Sequence, residues 1–281
     1  MIDSLTIALM LSAALLHALW HALIKSSTNG IGAIAGMGLV ATIIAAAILP
    51  LVSFPALGVW PVIAGSVCLH CGYKLALAYS YRFGDLGQAF PLARGFVPLF
   101  GAVIAFIAMG EVPRSGQAAG IAVVSAGLIW LAAESFRGGS DRRFFAAAIA
   151  AGVMVAGYAV VDAYGTRLAG DWLSFTAWLV FIDGCTFFLL ILMVQGRNLP
   201  KQLWHDRVRT AVSGVLGAGS FGVFLWALSR SPVGPVAALR ESSVLFAALI
   251  GMVWYGEVLS PYRLSAAALI VVGLTLIATA N

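Results

Sequence analysis

Six charged side chains fall inside or near stretches that are otherwise apolar: Lys74, Arg94, Asp162, Asp183, Arg240 and Glu241. An ionisable group at the centre of a bilayer-spanning helix costs about 2.5–3.5 kcal/mol, so each should face a partner or a cavity. Three are positive and three negative, which would let every charge be paired. The other use of such groups is to bind a solute or carry protons. Arg94 and Arg240 stay charged at any relevant pH and can hold a carboxylate or phosphonate through two parallel hydrogen bonds. Pro91 and Pro98 flank Arg94 and should kink its helix. His70 and Lys74 are four apart and share a helix face, which Tyr81 extends. A lysine there suits an anion contact or a proton relay. His17, Trp20 and His21 stand at i, i+3 and i+4 on another face. The histidines could couple proton movement to transport, with Trp20 as an apolar or cation–π wall. Tyr158 and Asp162 are again four apart and should face the same space, where the aspartate could take an amino group or a proton.

These considerations make His17, Trp20, His21, His70, Lys74, Arg94, Tyr158, Asp162 and Arg240 the candidate substrate-binding residues. Asp183, in the middle of its stretch, is better suited to pairing with Lys74 or an arginine. Glu241 should point about 100° away from Arg240 around the helix and serve a different neighbour. Glu111 and Glu257 suit gating or capping roles, and Trp130, Trp178 and Trp226 suit lipid-interface or packing roles. Cys68, His70 and Cys71 have a ligand-like spacing, but Cys185 is the one remaining cysteine, short of the second pair a structural zinc site wants. No metal or cofactor is expected. Gly32, Gly36, Gly214, Gly217, Gly219 and Gly222 suit close helix packing, and the last four lack the Lys-Ser/Thr tail of a phosphate-binding loop. No nucleophile–base set has convincing spacing, so an enzyme is not expected.

The elements that must position these residues follow from composition. Of 281 residues, 62% are hydrophobic and 10% charged. Soluble domains carry about 25% charged residues. This excludes a soluble enzyme, a disordered chain and a nucleic-acid module, and leaves an integral membrane protein. A bilayer core about 30 Å thick takes roughly 20 apolar residues per helix. On that measure the sequence predicts ten spans, near 4–24, 31–53, 59–80, 86–109, 115–134, 144–164, 172–194, 208–228, 233–255 and 262–280. They are apolar on all faces, unlike the alternating strands of a β-barrel. Loops on the side of the termini carry Arg114, Arg167 and Arg230. The other side carries Lys25, Arg82, Arg137, Arg142, Arg143, Arg197, Lys201, Arg207, Arg209 and Arg263. The positive-inside rule makes the second side cytoplasmic.

Shifted by 146 residues, the chain aligns on itself: Arg94 falls on Arg240, Gly110-Glu111-Val112 on Gly256-Glu257-Val258, and Gly127-Leu128 on Gly273-Leu274. Over positions 94–132, 12 of 39 residues are identical. The expected organisation is two five-helix repeats, 1–140 and 141–281. Because five is odd, the second copy enters the membrane inverted, as in many secondary transporters.

Ten spans, Gly-Glu-Val closing the fourth and ninth, and the opening His17-Ala-Leu-Trp20-His-Ala-Leu-Ile-Lys25 resemble the drug/metabolite transporter superfamily and its EamA-type ten-helix branch. The resemblance implies secondary transport in a bacterial inner membrane, usually export of amino acids or related metabolites, from a central cavity between the halves, with no ATP site. It also implies cytoplasmic termini, the opposite sense to the charge count. The expected activity is export of a small amino-acid-like or zwitterionic metabolite by alternating access, with proton coupling as one option, by a functional monomer that needs no nucleic acid. The rival readings are an importer of a phosphonate or organic acid, and a passive channel.

Overall fold

A computed structural model describes residues 2–25, 27, 29–80, 93–133, 142–256 and 260–280. Tyr81, Pro91 and Glu257 lie outside the described residues. The elements are α1 (Ser4–Lys25), α2 (Gly30–Ile48), α3 (Trp60–Ser80), α4 (Val97–Met109), α5 (Ser115–Ala133), α6 (Arg142–Ala169), α7 (Trp172–Gln195), α8 (Asn198–His205), α9 (Arg207–Leu228), α10 (Val233–Arg240), α11 (Ser243–Tyr255) and α12 (Pro261–Thr279). No strand occurs among the described residues. Among the described residues eight helices, counting α10 and α11 as one, are long and apolar enough to cross a membrane, and α4 is a shorter apolar helix. Helix is what such sequences must form in lipid, where each backbone N–H and C=O needs an internal partner.

The helix ends carry the expected chemistry. Asp3 accepts from the Thr6 N–H at 2.7 Å, Asn29 from Gly32 at 3.1 Å, and Asp171 from Leu173 at 2.9 Å. Hydrogen bonding from Thr6, side chain first and then backbone, holds the Asp3 carboxyl below its ordinary range. Gly110 and Gly256, which are 146 residues apart, end α4 and α11 with φ of +68° and +65°. That left-handed conformation is nearly free for glycine and costly for other residues.

The structure departs from the predicted spans at two places. Residues 233–255 are not one helix: a turn at Glu241-Ser242 separates α10 from α11. There the backbone tightens to i→i+3 bonds, from Glu241 to Ala238 and from Ser242 to Leu239, and the Ser242 hydroxyl also donates to the Leu239 carbonyl at 2.7 Å. A matching turn at Phe96 interrupts the fourth span, where Pro98 has no N–H to offer the Arg94 carbonyl. Second, the joint between the seventh and eighth spans contains α8, an amphipathic helix with Leu199 buried. Asn29 donates to Gln202 at 2.8 Å and Gln195 at 3.0 Å, tying α8 and the end of α7 to the α1–α2 connection.

Packing pairs α5 with α12, α2 with α7, α4 with α10, α3 with α6, α1 with α9, α4 with α6, α1 with α11, α2 with α9 and α3 with α7. Small residues permit the closest of these contacts. A Cβ at Gly120 would sit 2.7 Å from the Gly273 carbonyl oxygen, and one at Gly273 would sit 2.8 Å from that of Gly120. Backbone meets backbone between α5 and α12 in a way no larger residue would allow. Of the glycines expected to pack closely, Gly36 lies against Leu203 and Gly214 against Val40, whereas Gly222 has open space beside it. A core that includes Met10, Ile63, Phe175, Phe224, Leu225 and Val236 fills the end of the bundle nearer the termini.

Candidate substrate cavity

The other end of the bundle is hollow. A cavity of about 640 Å³ is enclosed by α1, α2, α3, α6, α7, α9 and α10, together with Arg94. Its wall runs from Arg240 and Tyr158 out to Ser27 and Gly30 at the α1–α2 connection. That volume falls in the range of small-molecule sites.

Eight of the nine candidate residues line it: His17, Trp20, His21, His70, Lys74, Arg94, Tyr158 and Arg240. Asp162 does not, which corrects the expectation that it faces the cavity. It is fully buried behind His70, where it accepts the Ser66 hydroxyl and contacts His70 Nε2 at 3.2 Å. A carboxylate at that depth needs hydrogen-bond partners, which Ser66 and His70 supply.

The α1 face is an aromatic stack. Trp20 stacks on His21 with centroids 3.6 Å apart and ring planes 28° from parallel, and its indole N–H donates to His17 Nδ1 at 3.2 Å. The other nitrogen of His17 meets the Arg94 guanidinium. Arg94 also reaches across to Glu241, with Nη1 at 2.9 Å from Oε1. Both partners are essentially dry, at 1% and 0% exposed. Such a pair stands only because each charge is matched. Glu241 does serve a different neighbour from Arg240, and that neighbour is Arg94.

On the opposite wall His70 stacks on Tyr158 at 3.9 Å. One turn further along α3, Lys74 donates to Asp183 of α7 at 2.6 Å and lies 4.7 Å from the centre of the Phe187 ring. The Asp183–Lys74 pairing expected from sequence is therefore present. Arg240 lies over the Phe224 ring at 4.1 Å. Its Nε and Nη1 are buried and make no hydrogen bond among the described residues.

The sequence reading missed Tyr73, Asp183 and Phe221 as wall residues. Tyr73 is three residues from His70, and that spacing could have found it. Asp183 and Phe221 lie on helices without polar periodicity and gave no such signal. Cys68, His70 and Cys71 do not converge: Cys68 is exposed, Cys71 approaches Asp183 at 3.9 Å and His70 turns to Asp162.

The face nearer the termini is tied by a second set of polar contacts. Arg167, at the end of α6, pairs with Glu111, and donates to the carbonyls of Ser231 at 2.8 Å and Leu228 at 3.1 Å. Glu111 accepts from the Val233 N–H at 2.8 Å, capping the start of α10 where the helix dipole favours a negative charge. The gate-or-cap role expected of Glu111 takes this form. Trp130 stacks on Tyr262, Trp178 packs with Phe54 and Trp60, and Trp226 lies under Arg230.

Comparison with known proteins places this geometry. Residues 144–279 match the model of the EamA-like transporter family. A solved structure described only as "Crystal structure of protein" superposes with a TM-score of 0.77 at 19% identity, covering 99% of this chain and 97% of that one. The likeness is one of fold. No curated protein matches the sequence.

Proposed function

We propose that this chain, a multi-pass membrane protein whose residues 144–279 match the EamA-like transporter family, is a secondary exporter of small amino-acid-like or zwitterionic metabolites, working by alternating access. The observation that carries this reading is the cavity: it is walled by helices from both halves of the chain, reaches one face and is backed by packed core toward the other. A passive channel would need a path through both ends.

The packing supports two inverted halves, residues 1–140 and 141–281. Numbered by span, α3 with α6 is the counterpart of α1 with α9, and α4 with α6 of α1 with α11. Likewise α2 with α9 is the counterpart of α3 with α7, while α5–α12, α2–α7 and α4–α10 join like to like. Two such halves can exchange conformations and expose one site to alternate sides. The cavity reaches the face carrying most of the basic loop residues, which the positive-inside rule makes cytoplasmic. This conformation would then be the loading state of an exporter in a bacterial inner membrane, and one chain supplies the whole site.

The test is counterflow in proteoliposomes. Vesicles preloaded with unlabelled amino acids and related metabolites should accumulate the matching labelled solute, with saturation and loss on competition. Linear, non-saturating flux of every solute would point to a channel and reject the proposal.

A further inference from the structure

Arg94 and Arg240 occupy matching positions, but the acid that serves Arg94 has no match. A shift of 146 residues places Glu241 on Gly95. The repeat-related copy of the Arg94–Glu241 contact would need an acid at position 95, where a side chain would crowd Ile129. Among the described residues Arg240 is thus left with no ion-paired carboxylate. It is 7% exposed, lines the cavity, and its Nε and Nη1 are buried without a hydrogen bond. The Phe224 ring and the end of α10 ease the charge where it stands, but they use none of its N–H donors. The remaining charges on the wall among the described residues are matched: Lys74 by Asp183, and Arg94 by Glu241. Asp162 is engaged with Ser66 and His70 behind the wall. An arginine held dry with idle donors facing a cavity is shaped for a ligand oxyanion.

Resting on the transporter reading above, we infer that Arg240 seats a carboxylate of the transported solute and that this solute carries one net negative charge. Tyr158, buried at 4% exposure on the same wall with no hydrogen bond to its hydroxyl among the described residues, supplies a further donor. Trp20, Met37 and Phe221 supply an apolar surface for the rest of the molecule. Among the described residues the wall holds no idle carboxylate for an ammonium group, because Asp183 is committed to Lys74. The favoured solute is therefore an amino-acid-like acid whose amine is acylated or absent, in preference to a free zwitterion.

The experiment compares N-acetyl-leucine, N-acetyl-phenylalanine, the free amino acids and the N-acetyl methyl esters as ligands of the intact protein in detergent, by thermal shift and calorimetry. An N-acetyl acid is expected to bind, more weakly as the free amino acid and not measurably as the ester. Arg240→Gln should weaken the acid roughly 10- to 100-fold, the loss expected for charge-assisted hydrogen bonds. Arg240→Lys should recover part of it. If Arg240→Gln does not fold, the acid-against-ester comparison and Tyr158→Phe carry the test. Equal binding of acid and ester, unchanged acid binding by Arg240→Gln, or no binding of any acid overturns the inference. The transporter reading is tested separately: linear, non-saturating flux of every solute rejects it, whereas saturable counterflow of the N-acetyl acid by Arg240→Gln at the wild-type rate leaves it standing and removes Arg240 from the site.

Discussion

Two arginines 146 residues apart stand in opposite circumstances. Arg94 meets both an acid and an imidazole, and it joins α1 to the break between α10 and α11. Arg240 has an aromatic ring beneath it, and its buried Nε and Nη1 have no acceptor among the described residues. One cation has become part of the frame and the other faces the cavity with its donors idle. On the proposed two-repeat reading, matching positions carry different tasks, and the deciding difference is one neighbour, Glu241 after Arg240 and Gly95 after Arg94.

The largest effect should come from breaking the frame. Arg94→Ala strands Glu241, which is fully buried, at a cost of about 3–5 kcal/mol. It should melt well below wild type in detergent or fail to accumulate. Adding Glu241→Gln should restore part of the loss, a coupling that a double-mutant cycle measures. Arg240→Gln should behave in the opposite way. It removes a charge with no acceptor, so melting should hold or rise while saturable counterflow falls by about the same 10- to 100-fold as ligand binding. Arg167 lies between these extremes, hydrogen-bonded three ways but with a third of its side chain exposed. Arg167→Ala should cost on the order of 1 kcal/mol in melting. It should also loosen the face nearer the termini, read as faster thiol labelling of residues introduced there. If Arg94→Ala and Arg240→Gln changed stability equally, the contrast between the two arginines would be lost.

Much of this was legible in the sequence. Helix-length apolar runs set the elements, and the spacing of His17, Trp20 and His21 on α1 and of His70 and Lys74 on α3 placed them on the cavity wall. Orientation was harder where a helix is apolar all round, because no polar stripe tells cavity from lipid or from a neighbouring helix. Asp162 went astray for that reason: its face turns to Ser66 inside the protein. The break after Arg240 was hidden because it rests on a serine hydroxyl and short-range backbone bonds, whereas Pro98 announces its counterpart. The α8 helix resembles a joint in sequence because its eight residues are too few to span.

The central claim is one cavity between the two halves, exposed to one side at a time. Ala218 on α9 lines it. In a chain with Cys68→Ala, Cys71→Ala and Cys185→Ala, Ala218→Cys can be probed with a membrane-impermeant maleimide applied to either face of sealed vesicles. The account predicts fast labelling from the face of the α1–α2 connection, slow labelling from the face of the termini, and protection by a transported solute. Equal labelling from both faces, indifferent to solute, would contradict it.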